Sequence, residues 1–391
     1  MKALRDRLRA ARDIRHLRRL APEDRAIVFY AEDTGSSVHL LAIVGELVRR
    51  HGRSVCYLTS DPCDPVLTEP PSGACGFFVG NGWARTYLFA SIETEVMVMT
   101  MPDLEAFQLK KSRAGHVRYV YAFHSIVSTH MVYRQRAFDH FDTILCVGPH
   151  HVAEIRARER LYGLPRKELV EQGYVRLDEI LASAQENPAP PAARPPGDRL
   201  RVLIAPSWDR NGLLETHGVR VVDVLVEAGF HVTIRPHPVT VTQRPDVIAA
   251  IRSRIAGLSH AVLELDVRST ESLFAADIMI SDWSGVALEF AFGLGRPVVF
   301  VNVPRKVNNP EYERLEIEPL EVSIRSRIGA IIEPQELAKL PAVVRSLVER
   351  RQELKEELRR LHEETVFNVG SSAAVAAECI DRLAASSRET A

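Results

Sequence analysis

The feature that most constrains this chain is a rhythm of short apolar runs alternating with longer amphipathic stretches, broken once by a proline-rich segment and then resumed. AIVFYA, SVCYLTS, GFFVG, TEVMVMT, HVRYVYAF and DTILCVG are rich in β-branched and apolar residues, the pattern of strands buried on both faces of a parallel sheet. Between the first two runs, Leu40, Val44 and Leu47 follow helical spacing, so the repeating unit reads as βαβ. PAPPAARPPGD, between Asn187 and Asp198, favours extended polyproline backbone and sustains neither helix nor central strand. Beyond it, RVLIAPS, HVTIRPHP, AVLELD, ADIMISD and RPVVFVN read as strands, with helices over Thr216 to Gly229 and Val247 to Ala256. The stretch from Ala342 to Leu383 holds no proline and one glycine and reads as mainly helical. A chain of 391 residues exceeds what one core usually supports. The expected fold is therefore α/β: two doubly wound Rossmann-like domains facing a central cleft. The boundaries are a basic amphipathic helix over 1–20, a first domain over 21–185, a linker over 186–199, a second domain over 200–365, and a C-terminal helix and tail over 366–391 placed to pack back on the first domain.

Composition narrows the partners. The chain is 46% hydrophobic and 26% charged with a formal net charge of -1, which gives no reason to expect nucleic-acid binding. Five cysteines, Cys56, Cys63, Cys75, Cys146 and Cys379, are scattered with no C-x-x-C pair, so neither a disulfide framework nor a zinc site is expected and a reducing cytoplasm fits. No signal peptide or membrane-spanning run is read from the sequence. The first twenty residues carry eight Lys/Arg against two Asp, with Leu4, Leu8, Ala11, Ile14 and Leu17 on a helical stripe. Such a helix either packs on its own domain or rests on an anionic membrane surface. The second reading makes the protein peripheral on the inner face of the cytoplasmic membrane.

Chemistry is expected at the carboxyl ends of the strands, where open α/β sheets bind ligands. Ser281-Asp282-Trp283-Ser284-Gly285-Val286-Ala287-Leu288-Glu289 follows an apolar strand and opens an apolar helix. Backbone N–H groups near Ser284, Gly285 and Val286 would face a phosphate at the positive end of the helix dipole, and Glu289, one turn on, would meet ribose or other hydroxyls. Simple helix capping by Asp282 or Ser284 is the competing reading. In Arg235-Pro236-His237-Pro238 the prolines restrict the backbone and fix the imidazole beside that phosphate site. His237 would stabilise charge on a diphosphate or act as a general acid. Phe123-His124-Ser125 ends the long strand of the first domain, and His124 would be the base for an acceptor hydroxyl, with His130, His150 and His151 weaker competitors. Tyr133, Arg134, Arg136 and Asp139 read as a solvated helix. Ser207, Asp209 and Asn211, in Ala205-Pro206-Ser207-Trp208-Asp209-Arg210-Asn211, would hold donor hydroxyls, ordinary turn chemistry being the alternative. Asp61 and Asp64 share one prolyl loop, too little for a metal site, and no protein-bound metal is expected. No tightly bound cofactor is called for, and no residue pattern indicates Mg²⁺, although a dissociable ion accompanying a diphosphate is compatible with the pattern.

In this order the motifs resemble those of the CDP-glycerol glycerophosphotransferase family of teichoic-acid and capsule polymerases and primases. Phe123-His124-Ser125 resembles the family's Trp-His-Gly, with serine standing where the family has glycine. Gly173-Tyr174-Val175-Arg176-Leu177-Asp178 resembles Gly-Tyr-Pro-Arg-x-Asp, and Ala205-Pro206-Ser207-Trp208-Asp209 resembles Ala-Pro-Thr-Trp-Arg. The Arg235 to Pro238 and Ser281 to Val286 segments follow in the family's order. The resemblance covers roughly residues 115–305. It implies a GT-B-like pair of domains with a CDP-activated donor held mainly by the second, and transfer of glycerol phosphate or a related polyol phosphate to a hydroxyl of a lipid-linked or surface-glycan acceptor with release of CMP. Three other readings share the cleft: a GT-B glycosyltransferase using a nucleoside diphosphate sugar, a nucleotide-sugar epimerase, and a non-enzymatic nucleotide or glycan binding module.

Overall fold

The computed structural model describes residues 2–107, 109–186, 199–266 and 270–389. The proline-rich segment expected as a linker falls at 187–198, outside the described residues. Thirteen strands occur in order: β1 Ile27–Ala31, β2 Val55–Thr59, β3 Ala74–Phe78, β4 Val96–Met99, β5 Arg118–Ala122, β6 Thr143–Cys146, β7 Glu168–Glu171, β8 Arg201–Ile204, β9 His231–Ile234, β10 Ala261–Leu263, β11 Ile278–Ser281, β12 Val298–Val301 and β13 Gly329–Ile332. They form two parallel sheets, β3-β2-β1-β4-β5-β6-β7 and β10-β9-β8-β11-β12-β13. The strand order reverses between β1 and β4 in the first sheet and between β8 and β11 in the second. Each reversal opens a crevice at the carboxyl ends of its strands.

The central strands form because β-branched and aromatic runs are covered on both faces, as in β1, β2, β4, β6 and β11, where every residue is buried. Two strands were not read from the sequence. β7 (ELVE) and β13 (GAII) are edge strands with partly exposed residues, so neither shows a continuous apolar run. Nor do Tyr133 to Asp139 form the expected solvated helix. Residues 129–140 run through turns, and Tyr133, Ala137 and Phe138 are buried in the first domain's core, whose packing overrides local polarity.

The domains are fastened to each other. The Gly285–Leu294 helix crosses the Val175–Glu186 helix at Gly293, where a side chain would meet Ile180 Cγ2 at 2.5 Å. The Ser128 amide and hydroxyl donate to the buried Glu321 carboxylate at 2.8 and 2.7 Å. The chain ends on the Ser372–Glu389 helix, whose Ala376, Ala377, Ile380 and Leu383 join Ile27, Phe29 and Val44 of the first domain in one apolar cluster. The Lys2–Arg19 helix buries Ala10, Ile14 and Leu17 but leaves Leu4 and Leu8 each 63% exposed.

Candidate functional site

The second sheet supplies a helix N-terminus of the kind that suits an anion. After β11 the chain turns at Trp283 and Ser284 into the Gly285–Leu294 helix, and the Ser284 side chain makes no capping bond. The Ala287 amide donates to the Ser284 carbonyl at 3.1 Å, while the Gly285 and Val286 amides precede any intrahelical acceptor and carry the positive end of the dipole. The expectation that Ser281 and Asp282 line the cleft is corrected, because both are fully buried. The Ser281 hydroxyl donates to the Ala205 carbonyl at 2.8 Å. Asp282 accepts from the Ser207 amide at 2.7 Å, the Trp283 amide at 2.6 Å and the Leu213 amide at 3.2 Å. Burial raises its pKa, and those amides oppose the rise. Asp282 thus ties the turn after β11 to the loop after β8 from beneath. Ser207 is buried with it. Asp209 closes a turn by accepting from the Asn211 amide at 2.9 Å, in a loop whose Trp208 and Asp209 are half-buried and whose Arg210 and Asn211 are exposed.

His237 caps the short helix after β9. Its Nδ1 accepts from the Val239 amide at 3.1 Å. A backbone amide can only donate, so the ring proton sits on Nε2. Burial lowers the pKa to about 4, and the Lys306 ammonium adds to the effect. His237 is therefore a neutral Nε2–H donor at pH 7. That state suits it to hold charge on a diphosphate and leaves it little capacity as a general acid. The half-buried Arg235 guanidinium lies within electrostatic reach of Glu264, Arg176 and Glu289.

The first sheet supplies the opposite tautomer. His124 follows β5, and its Nδ1 lies 3.1 Å from the Thr100 carbonyl and 3.3 Å from the Tyr121 hydroxyl. A carbonyl only accepts, so Nδ1 carries the proton and Nε2 keeps a free lone pair. His124 opens to solvent, yet the crowded walls of the cleft lower its basicity, a shift opposed by the Thr100 carbonyl and Asp33. The three competing histidines are engaged elsewhere. His151 accepts from the Val147 amide and contacts the Val127 carbonyl, His150 contacts the Ile126 carbonyl, and His130 lies 3.4 Å from buried Glu154.

Ser125, where the family motif has glycine, needs no glycine-like backbone, because it is not among the residues with positive φ. Its hydroxyl rests against Gly285, where a Cβ would lie 2.2 Å from Ser125 Oγ. The two halves of the cleft thus touch at the helix N-terminus. Glu289 accepts from the Tyr174 hydroxyl at 2.8 Å. Burial raises its pKa and Arg176 lowers it. Glu289 is therefore held by residues of both domains. Asp64 is buried and caps the turn at Val66, Asp61 accepts from Thr34 at 2.6 Å, and among the described residues no cluster of three or more metal-binding side chains occurs. Sequence reasoning missed His39, stacked on Tyr174 at 5.7 Å, and Lys306, which lies within electrostatic reach of both His124 and His237.

Two facing Rossmann-like sheets, with a helix N-terminus at the second sheet's reversal, define a GT-B-like fold. Residues 105–307 match the CDP-Glycerol:Poly(glycerophosphate) glycerophosphotransferase family, and the chain belongs to that family. A comparison with curated proteins gives no match. Among solved structures, the wall teichoic acid polymerase TagF is 14% identical, with 98% of each chain covered and a TM-score of 0.57. UDP-GlcNAc 2-epimerase from Neisseria meningitidis is 14% identical, with 91% of this chain and 99% of that one covered and a TM-score of 0.60. A putative UDP-N-acetylglucosamine 2-epimerase from Listeria monocytogenes is likewise 14% identical, over 89% and 93%, at 0.57. At these identities the likenesses establish the fold.

Proposed function

We propose that the protein transfers glycerol phosphate, or a related polyol phosphate, from a CDP-activated donor to a hydroxyl of a lipid-linked or surface-glycan acceptor and releases CMP. The observation that carries this reading is the pair of opposite histidine tautomers in one cleft: a free Nε2 lone pair on His124 and an Nε2–H on His237. The acceptor oxygen attacks the phosphorus bearing the polyol, and its proton passes to His124 Nε2. A new P–O bond forms as the bridging P–O bond to CMP breaks, the electron pair leaving on the CMP phosphate oxygen. The Gly285 and Val286 amides and His237 Nε2–H stabilise that charge, and Glu289 accepts from ribose hydroxyls. Family membership favours the phosphotransfer reading over nucleotide-sugar transfer or epimerisation on the same fold.

The acceptor chemistry fits a peripheral position on an anionic membrane. Leu4 and Leu8 are exposed, as are Trp83 at 74% and Tyr87 at 56%, and the Arg18 guanidinium of the first helix lies 4.9 Å from the Tyr87 ring. Among the described residues no helix is long and apolar enough to cross a membrane.

The direct test is release of CMP from CDP-glycerol in the presence of glycan acceptors. Acceptor-dependent release that disappears in His124→Ala supports the proposal. Turnover of a UDP-sugar with CDP-glycerol untouched contradicts it.

A further inference from the structure

We propose that Lys306 is a catalytic cation that contacts the phosphoryl group being transferred, an inference that rests on the diphosphate-donor reading above. Lys306 lies in a strap joining the two halves of the cleft. At one end, Val303 follows β12 and its carbonyl accepts from Trp283 Nε1 at 3.0 Å, which fixes the strap to the turn before the anion-binding helix. At the other, the Asn308 and Asn309 amides donate to the Met131 carbonyl at 3.0 and 3.2 Å, and their side chains donate to the Val132 and His130 carbonyls at 2.7 and 2.9 Å. Those carbonyls belong to the loop that His124 begins. With both ends pinned, the residue between them is held between the domains.

Lys306 is half-buried, and among the described residues no carboxylate approaches its ammonium within 4 Å. Its recorded close partner is the Trp208 ring, 5.6 Å from Nζ. Desolvation lowers its pKa while Asp282, Asp209 and Glu215 support the charge from a distance. A partly desolvated cation without a paired anion is costly unless a ligand supplies the negative charge.

A second observation points the same way. Arg325, 6% exposed, stacks on the Trp283 ring at 3.6 Å and donates through Nη2 to Asn302 at 3.1 Å. Its Nε and Nη1 are buried without a partner. Two under-neutralised cations therefore flank the turn on which a diphosphate would sit. In the transfer step, the Lys306 ammonium would stabilise charge on the non-bridging oxygens of the polyol-bearing phosphorus while the His237 side of the site holds the departing CMP.

The test is calorimetric titration of CDP-glycerol, inorganic diphosphate and CMP into the wild type, Lys306→Met and Lys306→Arg. Lys306→Met is expected to weaken both diphosphate ligands about ten- to a hundredfold while CMP stays within about twofold, and Lys306→Arg to recover most of the loss. Unchanged diphosphate binding in Lys306→Met overturns the proposal, as does an equal loss of CMP, which would mean that the lysine only shapes the loop. A wild type that binds diphosphate but no CDP-glycerol overturns the donor reading, and loss of diphosphate in Lys306→Met then still supports the lysine's role. A wild type that binds neither overturns both.

Discussion

His124 and His237 differ in which nitrogen their backbone partner leaves available, and that difference carries measurable consequences. His124→Ala is expected to lower kcat by about 10²–10⁴, the usual worth of a positioned base, while CMP still binds. Because the cleft walls depress the pKa of His124 below its ordinary 6.5, the free base prevails at pH 7. The acid limb of kcat/KM should therefore fall below pH 6.5, and an acid limb above pH 7 contradicts the assignment. For stability the sign follows from the folded pKa of His237, about 4 against 6.5. Near pH 4 to 6.5 the unfolded chain binds a proton that the folded chain resists, so this contribution is complete above pH 6.5 and is lost as pH falls toward 4. His237→Asn keeps an N-cap acceptor without a titrating ring, and its thermal stability should fall less steeply than that of the wild type over that window. At this scale the sequence located His124, His237 and Gly285 within four residues of the strands that end at Ala122, Ile234 and Ser281. It was misleading for Ser281 and Asp282, because pattern alone does not tell which side of a tight turn faces the cleft. It was silent on Lys306, whose place depends on the pairing of Asn308 and Asn309 with a loop more than 170 residues away.

Among the connecting elements, the loop between β7 and the Val175–Glu186 helix combines positive φ with close packing on backbone. Gly173 has φ +97, and a Cβ there would lie 2.3 Å from the Phe367 carbonyl oxygen. Gly229 also has positive φ, +84, but meets nothing within 4 Å. Gly173→Ala should therefore destabilise by more than the about 1–3 kcal/mol of backbone strain alone, whereas Gly229→Ala should cost only that strain. Thermal or denaturant unfolding of the two variants separates them, and equal losses would contradict the packing of the C-terminal segment on this loop. The buried strands were readable because their apolar runs are continuous, whereas β7 and β13 were not, being edge strands with partly exposed residues. The turns around Tyr133 were misread because Tyr133 and Phe138 find their apolar partners outside the segment, on and just after β5, among them Tyr121 and Phe123.

At the scale of the whole molecule, two sheets and a returning C-terminal helix build the cleft, and a basic first helix on the first domain leaves Leu4 and Leu8 uncovered. Each basic side chain near an anionic surface contributes about 1 kcal/mol. The protein should therefore sediment with phosphatidylglycerol-containing vesicles, release as salt rises, and lose binding in a Leu4→Ser, Leu8→Ser double variant that retains CMP binding. Unchanged vesicle binding in that variant contradicts the membrane role of the helix. The central claim, a cytidine diphosphate donor held through His237, is tested most directly by calorimetry of CDP-glycerol, CDP-ribitol, CDP, CMP, UDP-sugars and GDP-sugars with the wild type and His237→Ala. The account predicts that cytidine compounds bind tightest and that His237→Ala weakens the diphosphates among them. A preference for a uridine or guanosine sugar, or cytidine binding indifferent to His237, would contradict it.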